Sequence, residues 1–419
     1  MIKIIVSFIL VGIITLNSNF LWAKEELSLN SLIEQALKEN PQLQAAKFRL
    51  EAAKARVRLL RTLEDPRFEY EYNKIIPGMI SGATGENMSP MRMFSVSQEI
   101  PFPSKLFLRK KSAEKEANSF EQEYKETERK VIQEVKEAYF EIFLSHKKIA
   151  ITKENLGLLK QFVEIANRKY SVNKASQQDS LKAQVEYSKL SNQLILLEQE
   201  EQISQARLKS LLSQPQESAY IKVEEESSAV VELSEEKIIK LTKDKRPELK
   251  AYSEMSRKAE IDLALAKQEY LPDFMVKYTR EERNGSAGAW SGMFGATFPL
   301  WFWEKQNSFV KEASANVSVA KAEYSAVENM VLFEARSAYA KFQAAKNLAK
   351  IYETGVLPQA QAALETARLG YEADKIEFLD LLDAQRTLRE FQMDYFEALA
   401  NTEIALADLE RSVGTGLLQ

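Results

Sequence analysis

The sequence has no cysteine, which excludes disulfides, thiolate metal sites and an N-terminus anchored through a lipid-modified cysteine. It has a single histidine, His146, too little imidazole for most zinc or acid–base chemistry. Gly-rich phosphate loops and clustered ligands are missing as well. The parts of an enzyme are therefore not assembled, and neither a cofactor nor a resident metal is expected. A formal net charge of −4 offers no basic face, so no nucleic-acid partner is expected. Past the first residues, no segment is apolar enough for a transmembrane helix, which needs about 20 apolar residues.

The chain opens with an export signal. Lys3 supplies a positive start, Ile4 to Leu16 an apolar run, and Ala23 a small residue before a charged stretch. Residues 1–23 are expected to be a signal peptide. Leu21, a poor residue two places before Ala23, leaves the cleavage position open, and an uncleaved anchor is the alternative.

The rest of the chain is a duplication. Tyr170 to Gln184, YSVNKASQQDSLKAQ, is answered by Tyr371 to Gln385, YEADKIEFLDLLDAQ. The copies agree at Tyr170/Tyr371, Lys174/Lys375, Asp179/Asp380, Leu181/Leu382, Ala183/Ala384 and Gln184/Gln385. Each interrupts a long helical pattern with a polar turn. Asn173 and Asp374 tolerate a left-handed conformation there, so each copy reads as the bend of a helical hairpin. NPQLQAAK from Asn40 is matched by RPELKAYS from Arg246, and DPRFEYEY from Asp65 by LPDFMVKY from Leu271. Residues 24–222 and 234–419 are thus expected to be two structural repeats, with the acidic stretch 223–233 as linker.

Within each repeat the order is short helix, helix, strand pair, very long helix, bend and return helix. Leu29 to Glu39 reads as a short amphipathic helix capped by Ser28 or Asn30. Pro41 opens a second helix, expected to run to about Leu63. Phe68, Tyr70 and Tyr72 then alternate with Arg67, Glu69, Glu71 and Asn73, which is a strand with one aromatic and one polar face. A Gly/Ser/Pro-rich loop spans Pro77 to Pro90, and a second strand runs through Phe94, Val96 and Ile100. In the second repeat, Phe274, Val276 and Tyr278, then Trp290, Phe294 and Phe298, show the same parity. Ser104 to about Tyr170 holds no proline and predicts a helix about 100 Å long. Gly355 and Pro358 predict a break or kink in its counterpart. The return helices carry heptads, including Leu381, Leu388 and Leu409 in the second and Leu190, Leu197 and Leu211 in the first.

Four short strands with aromatic outer and polar inner faces suit a transmembrane β-barrel. They cannot close on themselves, and an open sheet edge cannot face lipid. Other copies of the chain must complete the barrel. Two copies would give a small, side-chain-filled barrel, and three a lumen. Half-buried strands of a soluble sheet are the plainer alternative.

Taken together, these features resemble the TolC family of outer-membrane efflux and secretion channels, along essentially the whole mature chain. The DPRF strand, the Met-rich first loop and the strand ends IPFPSKL and FPLWFWEKQ most resemble its heavy-metal branch. The resemblance implies a mainly α fold with a small β part. Tandem coiled-coil hairpins form a trimeric α-barrel, and four strands per chain contribute to a twelve-stranded transmembrane β-barrel in outer-membrane lipid. It further implies a homotrimeric exit channel of a tripartite efflux system, with a periplasmic membrane-fusion adaptor and an inner-membrane RND-type pump, for heavy-metal cations. Organic toxins or type I protein secretion are alternative cargoes, and a periplasmic coiled-coil adaptor or scaffold is the rival from another class. The chain departs from the family at Asn173 and Asp374, where Gly is usual.

The resemblance also assigns adaptor docking to the bends, through Tyr170, Asn173, Lys174, Asp179 and Leu181, and through Tyr371, Asp374, Lys375, Asp380 and Leu382. The same residues suit plain capping and stapling of two hairpins, since carboxylates are favoured at helix starts. Asp374, Glu377 and Asp380 are pore-gate candidates, because carboxylate rings favour cations. Solvated helix-start acids are the plainer reading. The methionines Met79, Met88, Met91 and Met93 suit soft metal ions but equally serve as flexible apolar filler. His146 has no partner ligand in view.

Overall fold

The computed structural model describes residues 28–73, 91–172, 176–223, 234–283 and 286–417. The leader, Met79 and Met88, the turn residues Asn173 and Lys174, and the linker from residue 224 lie outside them.

Helix α1 (Leu29–Glu39) is capped by Ser28 and buries Leu29, Leu32 and Ala36 along one face. Asn40 caps α2 (Pro41–Leu59), accepting from the backbone N–H groups of Gln42 and Leu43, with Pro41 in the first turn where its missing N–H is harmless. The helix stops at Leu59, short of Leu63. Strands β1 (Arg67–Asn73) and β2 (Met91–Ile100) follow, then α3 (Pro103–Ser171), 69 residues long. Gly157 leaves α3 unbroken. The return helix is α4 (Gln177–Leu211). The second repeat gives α5 (Glu235–Lys245), α6 (Pro247–Gln268), β3 (Asp273–Arg283), β4 (Ser286–Thr297), α7 (Lys305–Ile351), α8 (Leu357–Glu372) and α9 (Phe378–Val413).

The sequence predicts a break or kink at Gly355 and Pro358. The chain instead stays helical through a π turn, Tyr352–Val356, in which the Leu357 N–H donates to the Tyr352 carbonyl. A proline ring collides with the carbonyl four residues back and removes a donor. Widening the turn by one residue absorbs both effects without ending the helix.

The helices form one layer. Toward the bends α4 packs on α3, α3 on α9, and α9 on α7 and α8; toward the strands α2 packs on α3, and α6 lies between α3 and α7. Helices α4 and α8 therefore border the layer, whereas α9 has neighbours on both sides.

Two joints make α4 run into α2 and α9 into α6. The Asn40 amide donates to the Leu211 carbonyl (3.1 Å), and the Ser213 hydroxyl to the Glu39 carbonyl (3.0 Å). In the second repeat the Arg246 guanidinium donates to the Arg411 carbonyl at 2.5 Å. The matched NPQL and RPEL segments thus cap the end of the returning helix. Gly414, at φ 82°, packs so closely that a Cβ would lie 2.8 Å from the Arg246 Cα.

The strands form an antiparallel sheet in the order β1-β2-β3-β4, with β1 and β4 at its edges. The register sets Phe68 opposite Val96, Tyr70 opposite Phe94, Val96 opposite Tyr278, and Val276 opposite Phe294. All of these share one face, as the alternation predicts. No helix among the described residues is long and apolar enough to cross a membrane.

Candidate functional site

Both bends lie at the same end of the helical layer. In the second, Asp374 has φ 58°, the left-handed conformation anticipated for it. The Lys375 N–H reaches back to the Gly370 carbonyl (2.8 Å) and the Asp374 N–H to that of Tyr371 (3.2 Å), which closes a Schellman turn. Ile376 folds onto Gly370, where a Cβ would lie 3.4 Å from its side chain. Glu377 and Asp380 then form a capping box at the start of α9, each accepting from the other's backbone N–H. In the first bend the Ser176 hydroxyl accepts from the Gln178 N–H and caps α4.

The two hairpins are tied together here. Lys169, in the last turn of α3, donates to the Asp374 carboxylate at 2.5 Å and to the Tyr371 carbonyl, and sits 4.3 Å from the centroid of the Tyr371 ring. The Tyr371 ring packs against Phe378 (5.3 Å) inside a cluster with Leu159, Phe162, Ala183 and Leu382. Its hydroxyl has no hydrogen-bond partner among the described residues. Burial pushes its pKa up to about 12, with the carboxylates of Asp179 and Asp374 adding to the shift. Further up, Gln385 donates to Asn155 (2.5 Å), and Arg386 pairs with Glu186.

The matched positions are not equivalent in packing. Leu382 is 1% exposed and Leu181 53%, and Tyr371 is 4% exposed against 45% for Tyr170. Leu382 lies on α9, between α3 and α8, while Leu181 lies on the border helix α4. Tyr371, on α8, is covered by Phe378 and Lys169. Leu382 and Tyr371 therefore belong to the protomer's own core and not to its surface. Tyr170, Leu181, Asp374, Lys375, Glu377 and Asp380 are exposed, and Asp179 is half-buried. Lys169 escaped the sequence reading because the repeat hides it: its counterpart is Gly370, which has no side chain to align.

Met91 and Met93 are not loop residues. They lie in β2, on the polar face, opposite Asn73 and Glu71. On the same face the Glu69 carboxylate accepts from Lys277 (2.7 Å) and Ser95 (3.2 Å), bracing three strands. No group of three or more His, Cys, Asp or Glu among the described residues is placed to hold a metal ion. His146 does have partners: it lies 2.7 Å from the Glu201 carboxylate and stacks on Tyr220 at 5.8 Å. Burial lowers its pKa, outweighing Glu201.

The sequence pattern of the family described as "Outer membrane efflux protein" matches residues 32–214 and 238–415, one segment in each repeat. The chain is 22% identical over 284 residues to the cobalt-zinc-cadmium resistance protein CzcC of Cupriavidus metallidurans, covering 67% of each. It is 21% identical over 434 residues to the outer membrane protein TolC of Vibrio cholerae, covering 99% of this chain and 95% of that one. The solved outer-membrane channel OprN superposes with a TM-score of 0.82 at 19% identity, over 93% of this chain and 91% of the other. At that identity the likeness is one of fold.

Proposed function

Because the chain belongs to the outer membrane efflux protein family, and is on that ground an outer-membrane protein, we propose that it is the exit channel of a tripartite efflux system. It works as a homotrimer that receives cargo from an inner-membrane pump of the RND type through a periplasmic adaptor. The observation that carries this reading is the pair of open borders. Among the described residues, strands β1 and β4 have unpaired edges, and α4 and α8 border the helical layer.

The duplication says how those borders are filled. Helix α9 packs on its own hairpin partner and also on α3 of the other repeat. By the same rule α4 should pack on α8 of another copy. The apolar residues it exposes, Leu181, Val185, Ile195 and Leu196 among them, are the natural contacts. Edge strands in lipid impose the same closure. Three copies of a four-stranded sheet give twelve strands and a lumen, whereas two would be filled by their own side chains. The polar face with Glu69 and Lys277 lines that lumen, and the aromatic face meets lipid.

The gathered bends form the adaptor-docking tip, presented by the exposed Tyr170, Asp374 and Lys375. Asp374, Glu377 and Asp380 ring the pore mouth and favour cations. The cargo is heavy-metal cations. The likeness to a relative named for cobalt, zinc and cadmium resistance and the methionines on the lumenal strand face support this. The test has two arms. Native mass spectrometry in detergent should give a trimer, and a monomer would overturn the channel assembly. A strain lacking the gene should become sensitive to cobalt, zinc, cadmium, copper or silver. Sensitivity to dyes and detergents alone would overturn the cargo and leave the channel standing.

A further inference from the structure

The aromatic segment between β4 and α7 has no part in the tip or the lumen. Phe298, Leu300, Trp301, Phe302 and Trp303 are all exposed. The Trp303 ring meets Trp301 (5.7 Å) and Phe302 (5.2 Å) edge-on. Phe298 keeps the parity of Phe294 and Ala296, so the segment leaves the sheet on its aromatic face. It borders a cleft of about 310 Å³ whose lining includes Phe298, Trp301, Lys305, Gln306 and Asp273.

The polar wall of this cleft is unusual. Lys105 is buried and shared between Asp273 (3.0 Å) and Glu269 (3.4 Å). Lys305, exposed at the start of α7, has no ion-pair partner among the described residues. Gln306 is only 6% exposed, and its Oε1 has no hydrogen-bond partner among the described residues. Buried acceptors are almost always satisfied, so this one points to a ligand that brings a donor.

We propose that the cleft seats the headgroup of an aminophospholipid of the periplasmic leaflet, with the aromatic segment as a collar around its acyl chains. The proposal rests on the barrel reading, which puts the aromatic face of the sheet in lipid. Tryptophans belong at that depth, where the ring is apolar and the indole N–H finds polar partners. Two lysines and two carboxylates balance in the cleft, so a purely anionic headgroup gains little. A zwitterion with N–H donors satisfies every group. Its phosphate meets Lys305, and its ammonium donates to Gln306 Oε1, the two groups of the cleft that Lys105, Asp273 and Glu269 leave without a partner. A choline headgroup has the same charges but no N–H to offer.

The full chain can be reconstituted in phosphatidylcholine vesicles doped with lipids brominated near the headgroup end of the acyl chain. Variants whose only tryptophan is Trp290 or Trp301 report on lipid contact through quenching. Trp290, in mid-sheet, should be quenched equally by every brominated lipid. Trp301 should be quenched preferentially by brominated phosphatidylethanolamine over brominated phosphatidylcholine or phosphatidylglycerol. Gln306→Leu should abolish that preference, and Lys305→Gln should weaken it about tenfold, the effect of one charge-assisted hydrogen bond. Equal quenching of Trp301 by all three lipids overturns the headgroup site while sparing the barrel. A Trp301 dark to lipid yet shielded from acrylamide means that a second copy covers the cleft, which also overturns it. An unquenched Trp290 overturns the barrel reading itself, and the site with it.

Discussion

Lys169 at the end of α3 lies 2.5 Å from the carboxylate of Asp374, 205 positions further along the chain. One side chain of the first hairpin thereby holds the bend of the second, through a carboxylate, a carbonyl and an aromatic ring. The carboxylate is itself half-exposed, so salt weakens the charge component while the carbonyl and ring contacts persist.

Lys169→Met should therefore loosen the second bend without unfolding the helices. Hydrogen exchange at residues 373–377 should quicken, while exchange in mid-α9 stays as it was. Asp374→Asn should give a smaller change of the same sign, diminished at high salt. Unaltered exchange at the bend in Lys169→Met would show that the Schellman turn and capping box suffice alone.

The matched leucines should separate by mutation. Leu382→Asp places a charge in a packed core and should cost about 3 kcal/mol or more, read as loss of folded protein. Leu181→Asp should leave the protomer folded and break the trimer. Lys375→Glu combined with Tyr170→Ala should preserve the trimer and abolish efflux. Equal loss of folded protein in both leucine variants would contradict the packing difference between the copies.

Arg246 is 1% exposed and within 3.4 Å of Glu126, Glu248 and Glu334. Burial already raises the pKa of Glu126 against the pull of Arg246 and Arg411. Arg246→Met strands these carboxylates and uncaps α9, at a cost of about 3 kcal/mol. Thermal unfolding measures it, and a melting point equal to that of the parent would mean that Arg411 alone holds the joint.

Gly414 and Gly157 should respond with opposite signs. At Gly414 an added Cβ meets backbone at 2.8 Å with φ 82°, so Gly414→Ala should cost about 2 kcal/mol or more. At Gly157, inside α3, an added Cβ meets nothing within 4 Å. There Gly157→Ala should stabilise by about 0.5–1 kcal/mol. Melting temperatures moving in the same direction would refute the assignment.

His146 gives a pH dependence with a definite sign. Its folded pKa is depressed below the ordinary 6.5 by burial. The unfolded chain therefore takes up the proton first on acidification. The stability that neutral His146 contributes is present above about pH 6.5 and is lost as pH falls through the folded value. His146→Phe, which keeps the stacking on Tyr220, should flatten the melting curve between about pH 7.5 and 5. An unchanged slope would assign the acid sensitivity to other groups.

The sequence alone determined what is local or periodic. Strand parity placed Phe68, Tyr70, Val276 and Phe294 on one face because side chains alternate strictly along a strand. Asp374 could be read as a left-handed turn residue because its conformation is settled within a few positions. The duplication was visible because both copies conserve the same bend and the same pre-proline joint. Tertiary structure decided which copy is covered. Leu181 and Leu382 are the same residue in the same motif, yet one is exposed and the other buried. Helix α9 has neighbours on two sides and α4 on one, and burial follows from neighbours. Lys169 and Arg246 belong to the same category, since their partners lie a long way off in sequence. The π turn at Pro358 does too. A proline announces that the ordinary hydrogen bond is lost, but packing against α9 decides whether the helix breaks or widens by one residue and continues.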